Sequence, residues 1–261
     1  MSPLHHLRQV LRKARKSNRI AIRFAAGAAL AAWRCPRAPF QFCTDGIYRS
    51  TALLRLFRPG ELHQTTCLTK MDRYPAIFSI CRDYLSGRPN LRILSCGCAT
   101  GEEVFTLRRY FPEAFLVGVE INRHSLSIAK RRTADDRMVF LSPDTETIQA
   151  LGPFDAIFCM AVLQRQSTRV ERERTPSLKK IYPFEKFDDK VMELDSWLKP
   201  SGLMIVHFSQ YLFSDSSVAP RYTPLPSARN IPDTTLRFDR KSQQLGVSPP
   251  GCSVFVKTRD A

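Results

Sequence analysis

Gly97, Ala99 and Gly101 stand two residues apart at the end of an apolar run, Leu91-Arg92-Ile93-Leu94-Ser95-Cys96. Side chains this small leave the backbone bare, so a ligand can lie against it. Glu102 and Glu103 follow, where the first turn of a helix favours acids. A strand, a small-residue turn and a helix in that order is how open α/β sheets build a nucleotide-type site at the carboxyl ends of their strands. A dinucleotide turn would need glycines where Ala99 and Glu102 stand, and Glu102 would set a carboxylate against pyrophosphate. No Gly-Lys-Ser/Thr follows the turn, so a P-loop is absent too.

The elements that must position this turn alternate. Strands are predicted at Leu91–Ser95, Ala114–Glu120, Met138–Leu141, Phe154–Met160 and Leu203–Phe208. Helices are predicted at Glu102–Tyr110, His124–Arg131 and Phe187–Leu198, with an earlier helical pattern over 76–85. Such alternation implies a parallel sheet with helices on both faces. Thr235–Asp239 and Ser253–Lys257 read as two further strands, joined by a turn-rich stretch into an antiparallel hairpin at the sheet edge. The expected fold is therefore α/β, Rossmann-like and doubly wound. It would have a mostly parallel seven-stranded sheet, that edge hairpin and an N-terminal helical extension. Two inserts, Gln164–Lys186 and Tyr211–Asp233, leave the carboxyl side of the sheet and are candidate walls of a substrate pocket.

The run Gly97-Cys98-Ala99-Thr100-Gly101 resembles the first motif of the class I (Rossmann-like) S-adenosylmethionine-dependent methyltransferases. With its flanks, Leu94–Glu103 is most similar to the chemotaxis-receptor methyltransferases and their S-x-G-C-S-T-G-E-E run. Further matches follow in order: Glu120 ending Val117-Gly118-Val119-Glu120, Asp144 in Ser142-Pro143-Asp144, Phe154-Asp155 opening the fourth strand, and Leu198-Lys199-Pro200-Ser201-Gly202 before the fifth. An acid at the position of Glu120 can accept hydrogen bonds from both ribose hydroxyls. For Asp144 the resemblance implies contact with the adenine amino group. Together these imply S-adenosylmethionine as cofactor, held by Ser95, Cys96, Gly97, Cys98, Gly101, Glu103, Glu120, Ile121, Asp144, Cys159 and Met160. Arg73 is a candidate partner for the cofactor carboxylate, since guanidinium–carboxylate pairs are strong and directional. The chemotaxis family carries Arg-Asn where this chain has Met160-Ala161, which argues against receptor glutamate methylation.

Methyl transfer from a sulfonium is a direct displacement that needs alignment, and a base only where the acceptor must lose a proton. His207 and Tyr211, at the end of the fifth strand and beyond it, are the candidate catalytic residues. Met160, Ala161 and Val162 are apolar where amino-group methyltransferases carry a polar N-P-P-[YF] type motif. That leaves oxygen, carboxylate and other small-molecule acceptors, including lipid or saccharide precursors. The alternatives are methylation of RNA or protein, and a non-catalytic S-adenosylmethionine-binding module.

Charge divides the 261 residues unevenly. The formal charge is +16, and residues 1–44 hold nine Lys/Arg without an acid. The expected division is a basic arm (1–44), a helical cap (45–90) and the S-adenosylmethionine-binding domain (91–261). A basic arm suits anionic membrane or nucleic acid. Its apolar run, Phe24–Trp33, is too short to span a bilayer. Eight cysteines include no CxxC pair, so neither a structural zinc site nor any other metal is expected. Several cysteines fall in core strands, which favours a reduced, cytoplasmic setting, peripheral to a membrane if the arm binds one.

Overall fold

Seven strands form one sheet in the order β3-β2-β1-β4-β5-β7-β6. This computed structural model describes residues 37–64, 66–229, 231–246 and 251–258, with Val10 and Ile22 as isolated positions. The predicted arm helix around Phe24–Trp33 lies outside the described residues. The chain divides between Phe57 and Arg58 into two units, each described by itself. In the first, α1 (Arg37–Thr44) and α2 (Gly46–Phe57) flank Asp45, whose carboxylate accepts from the backbone N–H of Ile47 and Tyr48 at 2.9 and 3.0 Å. This is a helix N-cap.

The second unit holds the sheet. Strands β1 (Arg92–Cys96), β2 (Phe115–Val119), β3 (Met138–Leu141), β4 (Phe154–Met160) and β5 (Leu198–His207) are mutually parallel. Every residue of β4 is buried, as a central strand covered on both faces requires. Helices α3 (Pro75–Leu85), α4 (Glu102–Tyr110), α5 (Arg123–Arg132), α6 (Thr145–Leu151), α7 (Ser167–Glu173) and α8 (Phe184–Ser196) complete the unit. Ile77 and Phe78 of α3 and Val104 and Leu107 of α4 pack with Ile93, Phe158 and Ile205 on one face. Phe187, Val191 and Leu194 of α8 pack with Leu94, Ile157 and Met204 on the other.

Caps explain where the helices start. The Asn122 side chain accepts from the N–H of His124 and Ser125 and opens α5; Lys130, Arg131 and Arg132 close it against the dipole. Asp144 opens α6 by accepting from Thr147 N–H.

The sheet edge differs from the expectation. β7 (Val254–Lys257) does run antiparallel to β5, but its outer partner is β6 (Tyr222–Pro224), inside the second insert. Thr235–Asp239 forms no strand. Arg237 ties it to Asp233 and the Ser209 carbonyl, and Phe238 is buried beside Tyr211. The hydrogen-bonding edge is instead held by Asp195 of α8, whose carboxylate accepts from Tyr222 Oη at 2.5 Å and Arg221 Nη2 at 2.6 Å.

At the amino end of the sheet, Asp155 accepts from the Arg92 N–H at 2.8 Å and from Lys199 Nζ at 2.9 Å, pinning β1, β4 and β5 in register. Asp155→Ala should lower stability by about 2 kcal/mol, because a buried donor and a cation lose their acceptor. Cofactor affinity should not change, since Asp155 lies at the end of the sheet away from the Gly97 turn. Urea unfolding and calorimetry on the same variant check both halves.

Candidate functional site

Beyond the carboxyl ends of β1, β2 and β4 lies a cleft holding about 1060 Å3 of empty space, counting the part open to solvent. Its floor is Cys96–Ala99, Val119–Ile121 and Met160–Val162, with Glu103 at one side. Residues 61–70, apart from Leu62 and Thr65, contribute to the lining from the opposite side, and Arg73 and Tyr74 follow them.

The floor is a turn under tension. Gly97, Ala99 and Gly101 all lie in the left-handed region, with φ of 78, 48 and 97°. The N–H groups of Gly97 and Cys98 both donate to the Val119 carbonyl, at 2.7 and 3.0 Å, which ties the turn to β2. A Cβ on Gly97 would meet Val162 Cγ2 at 2.5 Å. Bare backbone is therefore required by the neighbouring loop as well as by any ligand.

Glu120 completes the tie. Its carboxylate accepts from Ala99 N–H at 2.8 Å and from Asn122 N–H at 2.7 Å, one on each oxygen. Burial raises its pKa, opposed by backbone hydrogen bonds from Asn122, Ala99 and Ile121. Each oxygen keeps acceptor capacity for a ligand hydroxyl. Glu103 accepts from Ser95 Oγ at 2.8 Å. Burial pushes its carboxyl up to about 8; the Ser95 bond and the Arg73 charge pull the other way, and Cys96 adds to the rise.

Other predicted residues take varied places. Cys96, Cys98, Ile121, Met160 and Arg73 line the cleft, whereas Ser95 supports Glu103 from behind, Gly101 starts α4 and Cys159 is fully buried. Asp144 is exposed, its side chain engaged in the α6 cap, next to Pro143 on the cleft wall. Neither candidate catalytic residue reaches the lining. His207 is buried with Nδ1 2.8 Å from Ser253 Oγ, and burial pushes its pKa down to about 4. Tyr211 donates to the Tyr182 carbonyl at 2.6 Å amid the rings of Phe184 and Phe187. No described residue of the two inserts lines the cleft either. The first insert instead braces the wall across from the floor: Arg165 Nη1 and Lys186 Nζ both donate to the Leu62 carbonyl, at 2.7 and 2.8 Å.

Three of the lining residues that escaped the sequence reading bear on the chemistry of the cleft. His63, pushed down to about 3 by burial and by Lys186, Lys190 and Arg165, lies 2.8 Å from the Tyr182 hydroxyl. Lys190 sits on the buried stripe of α8, three residues after Phe187, and pairs with Glu193 at 2.5 Å. A lysine on an apolar stripe was the available signal. Tyr74 carries a buried hydroxyl with no hydrogen-bond partner among the described residues, its ring edge-on to His207 at 4.9 Å. Nothing in its local sequence separates it from an ordinary core tyrosine.

A family of methyltransferase domains matches residues 88–222, more than half of the sequence. The chain belongs to this family. S-adenosylmethionine is its cofactor, and the bare turn and the hydrogen-bonding capacity of Glu120 fit that molecule. A stretch of 59 residues is 36% identical to the uncharacterized phycocyanin operon protein W of Pseudanabaena tenuis, covering 23% of this chain and 56% of that protein. Another of 79 residues is 29% identical to the malonyl-acyl-carrier-protein O-methyltransferase of Bacillus anthracis, covering 30% of this chain and 29% of the relative. The chain thus spans little over half of the first relative's length and under a third of the second's. Among solved structures, the plantazolicin methyltransferase BpumL in complex with SAH is similar at 13% identity and a TM-score of 0.39, over 65% of this chain and 56% of that one.

Two outcomes follow for the methyltransferase domain. Gly97→Ala should cost about 1–2 kcal/mol of stability from its left-handed φ alone. It should also weaken S-adenosylhomocysteine binding, because Val162 must move; melting curves and calorimetry read the two effects. Glu103 gives a pH dependence. A cation bound beside it favours the ionised carboxylate, so binding at neutral pH releases a proton. Affinity for S-adenosylmethionine should then rise from pH 6 towards the Glu103 value of about 8 and level off above it. Glu103→Gln should flatten that rise in calorimetric titrations.

Proposed function

We propose that this domain transfers the methyl group of S-adenosylmethionine by direct displacement to an oxygen of a small molecule or of a lipid or saccharide precursor. The observation that carries the reading is the stretch Met160-Ala161-Val162 in the cleft floor. These three residues are apolar and offer no polar clamp for an amide or an adenine amino group. A cleft of this size suits a small ligand.

When bound, the cofactor supplies a methyl group on a sulfonium. Glu120 would hold hydroxyls through its remaining acceptor sites, and the Gly97 turn would give the close approach. Glu103 would offset positive charge. Segment 61–70, held by Arg165 and Lys186, would keep water from the cleft. A carboxylate acceptor is already anionic and needs no base, in keeping with the burial of His207 and Tyr211 away from the lining. The relative from Bacillus anthracis is named for O-methylation of a malonyl group, which supports the oxygen reading.

The arm adds a second, independent proposal. Nine cationic residues without an acid over 1–44 favour peripheral contact with an anionic membrane or nucleic acid. No helix among the described residues is long and apolar enough to cross a membrane.

Calorimetry comes first. Wild type should bind S-adenosylmethionine, and Glu120→Ala should lose at least about tenfold, as expected when hydrogen bonds to a charged group are removed. Label from methyl-tritiated cofactor should then enter the organic-soluble, low-mass fraction of a cell extract. Label confined to RNA or to protein would transfer the proposal to a macromolecular acceptor.

A further inference from the structure

β1 and β4 run side by side, with Ile93 opposite Ala156, Leu94 opposite Ile157 and Ser95 opposite Phe158. The next pair along the strands is Cys96 and Cys159. Both thiols belong to the same face of the sheet, packed with Leu94 and Ile157. Neighbouring strands lie roughly 4.8 Å apart, within the span of about 4.4–6.8 Å that a disulfide bridges between Cα atoms.

The two thiols differ in access. Cys96 lines the cleft, while Cys159 is 0% exposed and sits behind it. Lys190 lines the same cleft and acts on both thiols, stabilising a thiolate. We propose that Cys96 and Cys159 are a peroxide-sensitive thiol pair whose disulfide shuts the cofactor site, and that bound cofactor protects it.

The chemistry balances within the pair. The Cys96 thiolate attacks one oxygen of hydrogen peroxide and the O–O bond breaks; Cys96 becomes a sulfenic acid, and the hydroxide released takes up the proton that the thiol had given up and leaves as water. The Cys159 sulfur then attacks the Cys96 sulfur and expels a second water. Two thiols lose two electrons to one peroxide, giving one disulfide and two waters. Cys96 is favoured over its neighbour Cys98. The neighbouring Cys159 thiol and the Lys190 charge lower the Cys96 thiol, whereas burial and the charges of Glu120 and Glu103 drive Cys98 up. Cys96 also begins the turn that Glu120 holds, so drawing its sulfur towards β4 displaces the backbone on which a ligand would lie.

This inference rests on the cleft being the cofactor site, and its chemistry can be read without that premise. The full chain is treated with stoichiometric hydrogen peroxide, alone and preloaded with S-adenosylhomocysteine, then digested without reduction. A Cys96–Cys159 cross-linked peptide two hydrogens lighter than its parts is expected from the unliganded protein, formed at least tenfold more slowly after preloading. S-adenosylhomocysteine affinity should fall at least tenfold on oxidation and return with dithiothreitol. Cys159→Ser should leave Cys96 as a sulfenic acid that dimedone traps. The proposal is overturned if no cross-link forms, if Cys98 or Cys81 oxidises first, or if the cross-linked protein binds the ligand unchanged. Reduced wild type that fails to bind S-adenosylhomocysteine while the cross-link still forms would sink the cofactor reading and the protection, leaving the thiol pair itself standing.

Discussion

One buried carboxylate joins the two halves of the cleft floor. Glu120 follows directly on β2, yet one oxygen takes the N–H of Ala99 in the turn after β1 and the other takes the N–H of Asn122. Without it, Ala99 would hold a left-handed backbone with an unmet donor, and the Asn122 cap of α5 would lose its anchor. Burying an anion costs free energy unless hydrogen bonds compensate. Here the compensation comes from the backbone that must be positioned, so the charge, the turn and the next helix are held by one interaction. An acid is required because an amide in its place would present one acceptor and one donor to two N–H groups.

The two ends of the sheet have different work. Asp155 closes the amino end with a strand N–H and a lysine, which fixes register far from any ligand. At the carboxyl end, β1 leads into α4 and β4 leads away to the first insert, and the divergence opens the cleft. Helix α8 links its two walls. Lys186 holds the segment across from the floor through the carbonyls of Gly60 and Leu62, and Lys190, one turn on, enters the lining beside Cys96. The same helix ends in Asp195, which secures β6 and β7 through Tyr222, Arg221 and Lys257. A single helix therefore spans from the cleft to the sheet edge.

What could be read from the sequence was what a local rule dictates. α4, β3 and β4 fall at their predicted bounds because a turn motif or a mostly apolar run defines each. Strand β6 could not be read, since three residues, Tyr222–Pro224, carry no period, whereas Thr235–Asp239 alternates like a strand and is held elsewhere by Arg237. Segment 61–70 was equally silent. It has no repeat, and its place depends on donors more than a hundred residues away, Arg165 and Lys186, that reach backbone carbonyls any sequence would supply. The motif acids Glu103 and Glu120 were legible and Lys190 left the trace of a lysine on an apolar stripe, but Tyr74 was not legible, because only tertiary packing aims it at the cleft.

The charge distribution around the cleft bears on what it can hold. The chain carries a formal +16, yet the two carboxylates nearest the turn, Glu103 and Glu120, are both raised by burial and neither forms a salt bridge among the described residues. Ion pairs elsewhere are plentiful, as in Arg132–Glu102 one residue before Glu103. Cations cluster around His63, where burial first and then the charges of Lys186, Lys190 and Arg165 keep the imidazole neutral. The cleft is therefore polar in the electrical sense, with acids at its floor and positive charge towards the segment that faces it. A ligand with a sulfonium and an ammonium at one part and an anionic acceptor at another would meet complementary charge at both. A pyrophosphate laid on the same floor would meet carboxylates instead. The electrostatics thus agree with the spacing of Ala99 and Glu102 in turning the site away from dinucleotides and towards a methyl donor.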